Sequence, residues 1–345
     1  MKILIAPDSF KECLSAREVA AAMAEGVRAA LPSAEVIQMP LSDGGEGTLE
    51  VLAPALGASL QEVMVRDPLG KRVVARIGLA GDTGILETAQ ACGLGLLPPA
   101  RRNPLKASTC GVGEMILAAE AAGCRHLLIG LGGSATCDGG AGMLSVPGVK
   151  EVLRRVSVEI LCDVENPFIG PDGAARVFAP QKGASAADVE ILEKRLCRLA
   201  ATYEAETGTD VRAMPGAGAA GGMGGALMAY SGATRVSGVD KVLALVGFDA
   251  AALGADLILT GEGRSDRQTL SGKVPVGVLR RAGGVPVALL SGAVCPSASE
   301  ALRAAGFCRV AAATPAGMPL SKALRPSVAR GCLQEAARML IQRDL

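Results

Sequence analysis

Short apolar runs alternate with helically spaced apolar positions at the start of the chain. The runs at residues 2–6 and 35–40 predict buried strands, and the helical spacing predicts helices over 16–31 and 46–56. Strands that alternate with helices in this way predict a parallel sheet. Ligands of such a sheet bind beyond the carboxyl ends of its strands.

The pattern changes between residues 59 and 88, where strands with alternating polarity follow one another without intervening helices. Residues 67–70 carry the predicted hairpin turn. This shift places a domain boundary near residue 62. Further along, the sequence predicts helices over 111–123 and 185–206 and strands over 158–162 and 256–260.

Helix and strand alternation returns near the end of the chain. The predicted elements are a helix over 276–282, strands over 286–291 and 309–313, and a helix over 334–340. This return predicts a discontinuous first domain. We therefore expect an α/β fold in which residues 1–61 and 275–345 form one domain and residues 62–274 form an inserted mixed α/β domain.

The amino-acid composition indicates which residues fill the core and which classes of partner are disfavoured. Half of the 345 residues are hydrophobic, but aromatic residues make up only 2% and tryptophan is absent, so Ala, Leu, Val and Ile must fill the core. The net charge is +1, from 35 basic and 34 acidic residues. This balance disfavours nucleic acid and membrane surfaces as partners and favours a small molecule.

The cysteines and the apolar runs bear on metal content and compartment. None of the ten cysteines forms a C-x-x-C pair, and the single histidine, His126, is predicted to pack in an apolar strand, so we expect no zinc site. No stretch approaches the roughly 20 apolar residues of a membrane span, and the first ten residues lack the apolar core of a secretory signal. We expect a cytoplasmic protein with reduced thiols.

Four loops are each rich in glycine and several of them also carry small polar and acidic residues. Glycine lets backbone N–H groups converge on an anion, and the hydroxyls of Ser134 and Thr136 add donors. Asp138 is placed to hold a cation. Four such loops in one chain predict a site built around phosphate groups, and they cover residues 42–47, 130–143, 215–225 and 261–266.

The order of the motifs resembles that of the bacterial two-domain glycerate kinases. The resemblance spans nearly the whole chain, which carries neither a Walker A sequence nor a protein-kinase glycine loop. The motifs are KILIAPDSFK near the start, SDGGEG at 42–47, NPLKASTCGVGE at 103–114, GGSATCDGGAGM at 132–143, CDVENP at 162–167, PGAGAAGG at 215–222 and GEGRSDRQTLSGK at 261–273.

The resemblance implies both a layout and a reaction. The expected layout is a Rossmann-like parallel-sheet domain, discontinuous, with the inserted domain at 62–274 and the active site in the cleft. The expected reaction is ATP-dependent, Mg²⁺-assisted phosphorylation of D-glycerate at the 2-hydroxyl, which gives 2-phosphoglycerate. ATP and D-glycerate are the expected partners, and a homodimer stays open. The residues themselves do not distinguish the 2-hydroxyl from the 3-hydroxyl.

Carboxylates in the glycine-rich turns are the candidate metal ligands. Two of them could share a Mg²⁺ ion, which takes one or two carboxylates together with phosphate and water. The alternative is that each caps a helix or accepts turn N–H groups. The carboxylates are Asp43, Glu46, Asp138, Asp163, Glu262 and Asp266, and the predicted metal ligands are Asp138, Asp163, Glu262 and Asp266.

Phosphoryl transfer also needs cations and a group that takes the acceptor proton. Lys11 is placed to meet a substrate carboxylate or phosphate, and Asp8 either orients Lys11 or acts as the base. Arg264 and Lys273 could neutralise the transferring group, and a helix N-terminus is expected at Lys273. The alternative for each charge is a solvated surface position. The predicted catalytic set is Asp8, Lys11, Asp43, Asp138, Arg264 and Asp266.

The remaining candidates contact substrate or phosphate. For the run 215–225, a close packing contact is as good an interpretation as a phosphate contact. The predicted binding residues are Ser9, Ser42, Gly44, Gly45, Gly132, Gly133, Ser134, Thr136, Asn166, Gly216, Gly218 and Lys273.

Two departures from the family pattern fall close together. Cys137 stands where the family has asparagine, which removes a side-chain amide, and the chain is shortened around 145–157, where a strand and part of a helix are expected to be missing. They favour an alternative hypothesis, a catalytically weakened homologue that binds nucleotide or a small molecule. A kinase of another small hydroxy acid is a further alternative.

Overall fold

The computed structural model describes residues 1–342 and divides into two compact units. Unit 1 comprises Met1–Asp43 and the chain from Val239 onward, and unit 2 comprises Gly44–Gly238. Among the described residues, none of the helices combines the length and the apolar character needed to cross a bilayer.

The strands form a five-stranded sheet in unit 1, a six-stranded sheet in unit 2 and a small two-stranded sheet. In chain order they are β1 (Lys2–Ile5), β2 (Glu35–Gln38), β3 (Ser59–Arg66), β4 (Arg72–Ala80), β5 (Thr83–Glu87), β6 (His126–Gly130), β7 (Ser157–Leu161), β8 (Thr234–Val236), β9 (Leu257–Thr260), β10 (Arg264–Ser265), β11 (Val287–Ser291), β12 (Ala293–Val294) and β13 (Arg309–Ala312).

The helices lie between these strands, and short 3-10 turns cover Leu94–Leu96, Pro99–Arg101, Pro180–Lys182 and Arg267–Ser271. In chain order the helices are α1 (Ala16–Ala30), α2 (Thr48–Ala55), α3 (Ala89–Cys92), α4 (Cys110–Ala121), α5 (Ala141–Leu144), α6 (Val149–Leu153), α7 (Ala174–Phe178), α8 (Ala186–Thr207), α9 (Ala219–Ser231), α10 (Gly238–Leu245), α11 (Phe248–Ala252), α12 (Val274–Arg281), α13 (Pro296–Ala304), α14 (Leu320–Ala323) and α15 (Pro326–Gln342).

The sheet of unit 1 is entirely parallel, in the order β13-β11-β9-β1-β2. Ile3 pairs with Val36 on one side and with Leu257 on the other, so β1 is a central strand. Helices α1 and α15 pack together, and their apolar faces join β1, β9 and β11 in one core. Because all strands run the same way, the loops after β1, β9, β11 and β13 leave the same edge of the sheet.

The sheet of unit 2 is mixed, in the order β3-β4-β5-β6-β7-β8. Strands β3 to β5 are antiparallel, and β5 to β8 are parallel. The hairpin turn predicted at 67–70 is present: Oδ1 of Asp67 accepts hydrogen bonds from the backbone N–H groups of Leu69 and Lys71, and Gly70 has a φ of +87°. The mixed α/β architecture with a parallel sheet confirms the predicted fold class.

The boundaries between the units differ from those predicted at 61/62 and 274/275. Helix α2 packs on β4 and β5, so it belongs with unit 2, although its sequence continues the strand and helix alternation of unit 1. Strand β9 lies between β1 and β11, so it belongs with unit 1. Both differences arise because long-range sheet pairing, which local periodicity does not reveal, decides where an element packs.

Most predicted elements are present within a few residues of their expected bounds. The last helix begins at Pro326, eight residues before its predicted start at 334, because proline is well tolerated in the first turn of a helix. The prediction that His126 packs in the core is wrong. His126 is the first residue of β6, 57% of its side chain is exposed, and its Nε2 lies 3.4 Å from Oδ2 of Asp82.

The shortened segment does not interrupt the sheet. Helices α5 and α6 span residues 141–153, and β7 follows at once. Strand β7 pairs with β6 from His126 opposite Ser157 to Gly130 opposite Leu161. The parallel part of the sheet is therefore continuous across the place where the chain departs from the family pattern.

The contact between α1 and α15 generates a stability prediction. A Cβ atom at Gly26 would press against the carbonyl oxygen of Gln334 and lie 2.9 Å from Cβ of Ala337, whereas one at Gly331 would meet nothing within 4 Å. We expect Gly26→Ala to lower the free energy of unfolding by about 1 to 3 kcal/mol, the usual cost of overpacking.

The matched control is Gly331→Ala on the exposed side of α15. It should raise the free energy of unfolding by up to about 1 kcal/mol, because alanine favours the helix over glycine. Urea denaturation of both variants measures the difference. Equal stability of the two would mean that α1 and α15 do not approach as closely as described.

Candidate active site

A cavity of about 640 Å³ opens within unit 1 at the carboxyl edge of its sheet. Its walls come from the loops after β1, β2, β9, β11 and β13 and from α14 and α15. The chain thus brings predicted site residues from three separate motifs into one pocket. They are Asp8, Ser9, Lys11, Asp43, Glu262, Arg264, Asp266 and Lys273.

Asp8 is the buried carboxylate at the end of β1. Its backbone N–H donates to the carbonyl of Gly261, which ties the first loop to the loop after β9, and its Oδ1 accepts a 2.6 Å hydrogen bond from the N–H of Ser9. Burial, followed by the nearby charge of Asp43, raises the pKa of Asp8 well above its ordinary value, and Lys11 opposes that rise. Asp8 therefore holds a proton more tightly than an exposed aspartate.

Lys11 and Asp43 form a loose ion pair at the mouth of the pocket. Nζ of Lys11 lies 3.9 Å from Oδ2 of Asp43, and the side chain of Lys11 is 65% exposed. An exposed ion pair at this distance contributes little to stability. Ser42, the residue before Asp43, is buried and is not among the residues that line the pocket.

Glu262 organises the loop that follows β9. Its Oε1 accepts hydrogen bonds from Oγ of Ser265 at 3.0 Å and Oγ1 of Thr269 at 2.6 Å, and its Oε2 lies 3.3 Å from Nζ of Lys273. Oγ of Ser265 is also 2.7 Å from Oγ of Ser291 at the end of β11. Lys273 is the N-cap residue of α12, as predicted.

The supporting hydroxyls were not anticipated from the sequence. Ser265 and Thr269 lie in the GEGRSDRQTLSGK motif, and their spacing of three and seven residues from Glu262 is the only local signal. Ser291 belongs to a different strand, and nothing in its own neighbourhood indicates the contact.

Asp266 lies half-buried on the same wall and caps the 3-10 turn Arg267–Ser271. Its Oδ1 accepts from the N–H of Gln268 at 2.8 Å, and its own N–H donates to Oγ1 of Thr269 at 3.0 Å. The capping role that the sequence left open is thus present, and Asp266 also lines the pocket. Its role as a metal ligand stays a prediction.

Arg264 is exposed in β10 and lies beside Cys295. Hydrogen bonding to Ser297, whose Oγ is 3.2 Å from Sγ of Cys295, lowers the pKa of this thiol, and Arg264 adds to that effect. Arg264 and Cys295 both line the pocket. Arg264 therefore adds a cationic side chain next to the carboxylates of the pocket.

The other predicted residues lie in unit 2, where they follow the parallel strands β5 to β8. The loops around Gly44 and Gly132 pack directly on each other and on the end of β7. Gly44 has a φ of +87°, and a Cβ atom there would be 2.8 Å from the carbonyl oxygen of Leu161. A Cβ atom at Gly132 would clash with Gly45. These glycines are required for loop contact, whatever ligand the loops bind.

Asp138 accepts four hydrogen bonds in the turn after β6. Oδ2 receives the N–H and Oγ1 of Thr109 at 2.8 and 2.9 Å and the N–H of Gly142 at 3.1 Å, and Oδ1 receives the N–H of Gly140 at 3.1 Å. Burial raises the pKa of Asp138, and these donors counteract the rise. The carboxylate fixes the starts of α4 and α5, and its predicted metal and catalytic roles stay predictions.

Two buried charged residues of unit 2 were not predicted from the sequence. Glu87, buried at the end of β5, accepts from the N–H groups of Gly47 and Leu49 and so holds the start of α2. Lys182 is buried, donates to Oγ of Ser134 at 2.9 Å and the carbonyl of Thr136 at 2.7 Å, and has a pKa lowered by burial. Neither residue lies in a glycine-rich loop, so no local pattern indicated it.

The glycine run 215–225 is a packing element. Ala220, Gly221 and Gly222 all have positive φ values, and a Cβ atom at Gly221 would collide with the carbonyl oxygen of Thr136. The N–H of Gly218 donates to the carbonyl of Asn166 at 2.9 Å. The close-packing interpretation therefore describes this run, and Gly216 and Gly218 keep their binding roles only as predictions.

The predicted residues of unit 2 are thus held mainly by the chain itself. Cys137 is buried, and burial raises the pKa of its thiol to about 11. Asp163 accepts from the N–H of Gly238 at 3.1 Å, and Nδ2 of Asn166 donates to the carbonyl of Asp172 at 2.8 Å. Across residues 1–342, no group of three or more His, Cys, Asp and Glu side chains is arranged to hold a metal ion.

Comparison with known proteins decides the family. The sequence profile of the Glycerate kinase family matches residues 3–152 and 145–343, two stretches that overlap at 145–152, inside the shortened segment. The chain belongs to the glycerate kinase family. Since the family consists of kinases that act on an alcohol group, the chain is an enzyme of the transferase class.

Individual members of the family match over most of their length. A protein named Glycerate kinase from Bacillus subtilis is 41% identical over 94% of this chain and 93% of its own. A protein named Glycerate 2-kinase from Escherichia coli is 42% identical over 81% of each chain. The crystal structure of a protein named glycerate kinase 2 from Salmonella typhimurium LT2 superposes with a TM-score of 0.81 at 39% identity and covers both chains completely.

The buried charge of Asp8 generates a prediction with a definite sign. Because the pKa of Asp8 is raised in the folded protein, the protonated form favours folding, and that stability is lost as pH rises through the raised pKa. We expect Asp8→Asn, which keeps the acceptor for the Ser9 N–H, to melt at a higher temperature than the parent at pH 8. The difference should shrink as pH falls towards 4.

Asp249→Asn is the control of opposite sign. Asp249 is exposed and pairs with Arg281, which lowers the pKa of Asp249. Its small contribution to folding stability is therefore present at neutral pH and is lost as pH falls. Melting curves between pH 4 and pH 8 compare the two variants. A melting temperature of Asp8→Asn below that of the parent at pH 8 contradicts the assignment of an unfavourable buried charge.

Proposed function

We propose that the protein catalyses the ATP-dependent phosphorylation of D-glycerate at its 2-hydroxyl, giving 2-phosphoglycerate and ADP. The family and the name of the E. coli relative support the reaction and its regiochemistry. The observation in this chain that carries the proposal is the buried Asp8 of unit 1, which lies in one pocket with Lys11, Arg264 and Lys273.

Asp8 is the proposed base. A general base works best when its pKa is close to the working pH, and burial and Asp43 move the pKa of Asp8 in that direction. The 2-hydroxyl oxygen forms a bond to the γ-phosphorus, the bond from that phosphorus to the bridging oxygen of ADP breaks, and the hydroxyl proton passes to Asp8. The N–H of Ser9, at 2.6 Å from Oδ1, fixes the orientation of the carboxylate.

The cations of the pocket have complementary proposed roles. Lys11 lines the pocket and its side chain is 65% exposed, so it is the proposed partner of the glycerate carboxylate. Lys273 is held by Glu262 at the N-terminus of α12, where the helix dipole also favours an anion. Arg264 completes a positive rim for the phosphates. Charge stabilisation by preorganised groups is the main protein contribution to phosphoryl transfer.

The pocket also suits Mg²⁺. Asp43 and Glu262 both raise the pKa of Asp8 through their negative charge, so the pocket holds an excess of carboxylates that a divalent cation would offset. Glu262 and Asp266, on the same wall, are the proposed ligands in unit 1, with phosphate oxygens and water completing the shell. When bound, Mg²⁺ would neutralise charge on the phosphates.

The departures from the family pattern do not touch this pocket. Cys137 and the shortened segment both lie in unit 2, where β7 pairs fully with β6 and Cys137 is buried in the core. These facts favour an active kinase over a homologue that binds without turnover.

Turnover is the direct test. Purified protein with ATP, Mg²⁺ and D-glycerate should release ADP, and the phosphorus NMR spectrum should place the new phosphate on C2. D-Lactate, which has the 2-hydroxyl but not the 3-hydroxyl, and glycerol separate glycerate kinases from kinases of other hydroxy compounds. ADP release with another acceptor and not with D-glycerate would overturn the proposed substrate.

Removal of the base should affect the chemical step. We expect Asp8→Asn to lower kcat by about 10²-fold or more, the range of general base catalysis, while circular dichroism shows a folded protein. Asp249→Asn, a surface change in the same unit, should keep the parent kcat. A parent-like kcat for Asp8→Asn would exclude Asp8 as the base.

The Mg²⁺ proposal has its own variant. Asp266→Asn keeps the cap to Gln268, because the amide oxygen remains an acceptor, but it removes the charge. The Mg²⁺ concentration for half-maximal rate should rise about tenfold or more, a typical cost at a metal site. An unchanged Mg²⁺ requirement at a normal melting temperature would mean that Asp266 only caps the 3-10 turn.

A further inference from the structure

Lys182 is a buried amine of unit 2 to which the proposed reaction assigns no role. It ends the 3-10 turn Pro180–Lys182, and only 3% of the residue is exposed. Its Nζ donates to Oγ of Ser134 at 2.9 Å and to the carbonyl oxygen of Thr136 at 2.7 Å. The amine thus joins two segments that are distant in the sequence, the 3-10 turn and the glycine-rich turn after β6.

The burial of this amine is not compensated by an ion pair. Within residues 1–342, Lys182 forms no salt bridge, and the ionisable groups that influence it are the thiols of Cys137 and Cys92 and the carboxylate of Asp138. Burial raises the pKa of the Cys92 thiol to about 12 and that of the Cys137 thiol to about 11, so both are uncharged near neutral pH. Burying an amine in such surroundings costs stability relative to an apolar side chain of similar shape. A cost of this kind indicates that the amine serves the function of the protein.

The turn that Lys182 holds has two backbone N–H groups without a partner. It follows β6 at the carboxyl edge of the parallel strands. The carbonyl of Gly133 and the N–H of Ala135 are both hydrogen-bonded to residues 92–94, so the backbone on either side of Ser134 is fixed. In the described part of the chain, the N–H groups of Gly133 and Ser134 donate to no acceptor.

Consecutive free N–H groups in a glycine turn are typical of a site for an oxyanion. Gly133 is exposed and has a φ of +78°, a conformation that favours glycine. Ligands of parallel sheets bind at the carboxyl edge, where this turn lies. An oxyanion bound to the N–H of Ser134 would also place a negative charge near Lys182, which has no ion-pair partner in residues 1–342.

We propose that Lys182 is a positioning residue for the proposed reaction: its amine fixes the turn 132–136 so that the N–H groups of Gly133 and Ser134 receive an oxyanion of a substrate. This inference rests on the proposed function, which supplies two such groups, the carboxylate of D-glycerate and the phosphates of ATP. The amine holds the side chain of Ser134 and the backbone of Thr136. Because Lys182 is buried, it acts through the turn and does not itself contact the substrate.

A purely structural role of Lys182 predicts different effects. If the amine only joined the two turns, its removal would lower the melting temperature and would affect both substrates alike. A positioning role affects the substrate whose oxyanion binds to the turn. It also leaves the melting temperature close to that of the parent, because an apolar side chain of similar shape avoids the cost of burying the amine.

The first test is Lys182→Met, which keeps an unbranched side chain and removes the amine. We expect KM to rise about tenfold or more for one substrate and to stay within about twofold for the other, since hydrogen bonds to charged groups are among the strongest. A rise for D-glycerate assigns the carboxylate to the turn, and a rise for ATP assigns a phosphate. Equal rises in both constants, or no rise in either, would overturn the inference.

Lys150→Met is the matched control for this substitution. Lys150 also belongs to unit 2, but its side chain is 34% exposed and its Nζ pairs with Oε2 of Glu206 at 2.7 Å. The same chemical change at this position should alter neither KM.

The second test is Ser134→Ala, which removes the hydroxyl that Lys182 contacts and keeps the backbone N–H. It should raise the same KM by a smaller factor. The double variant should bind that substrate as Lys182→Met does, because the two residues act through one contact, and additive effects would overturn this coupling. Should Lys182→Met fail to fold, Ser134→Ala decides, and a parent-like KM for both substrates would then overturn the inference.

Binding without turnover separates this inference from the proposed reaction. D-Glycerate and MgATP, each added alone, should raise the melting temperature of the parent, and Lys182→Met should lose one of the two increases. Such a loss in a protein that does not phosphorylate D-glycerate would keep the positioning role and overturn the reaction. Turnover of D-glycerate by Lys182→Met with parent-like constants would keep the reaction and overturn the positioning role.

Discussion

The burial of carboxylates at the carboxyl ends of parallel strands is the constraint on which the loops of both units depend. Glu87 ends β5 and holds the start of α2, and Glu262 follows β9 and gathers Ser265, Thr269 and Lys273. A buried carboxylate is costly unless donors satisfy it, and here most donors come from loops that have no regular structure of their own. The cost of burial and the shape of the loops are therefore coupled.

Asp8 differs from these carboxylates in the number of hydrogen bonds that it accepts. The carboxylate of Asp138 accepts four hydrogen bonds. Within residues 1–342, the carboxylate of Asp8 accepts one hydrogen bond, from the N–H of Ser9. Its nearest charges are two further carboxylates and the exposed Lys11. Burial raises the pKa of both carboxylates, but the four donors hold Asp138 within its turn, whereas Asp8 lines the pocket, where its carboxylate can take a proton.

The glycines make this arrangement sterically feasible. In unit 2 the turn at 44–45 approaches Gly130 and Gly132, and the turn at 218–222 approaches residues 136–139 and 166–168, at distances that leave no room for a Cβ atom. Backbone contact of this kind brings N–H groups to the carboxyl edge, and the buried amine of Lys182 donates hydrogen bonds to Ser134 and to the carbonyl of Thr136 in the adjoining turn. In unit 1, by contrast, long side chains at the mouth of a cavity supply the charges.

The sequence by itself determined the alternation of strands and helices, the family and the candidate residues of the unit 1 pocket, because periodicity and short motifs are local properties of the chain. Only the tertiary structure decided the boundaries at Asp43 and Val239, the donors that surround Asp138, and the contributions of Glu87, Lys182 and Ser291. Residues such as Ile3 and Leu257, 254 positions apart, become neighbours through sheet pairing. Local sequence does not record which strands pair, so it cannot say which buried charges meet or which donors satisfy them.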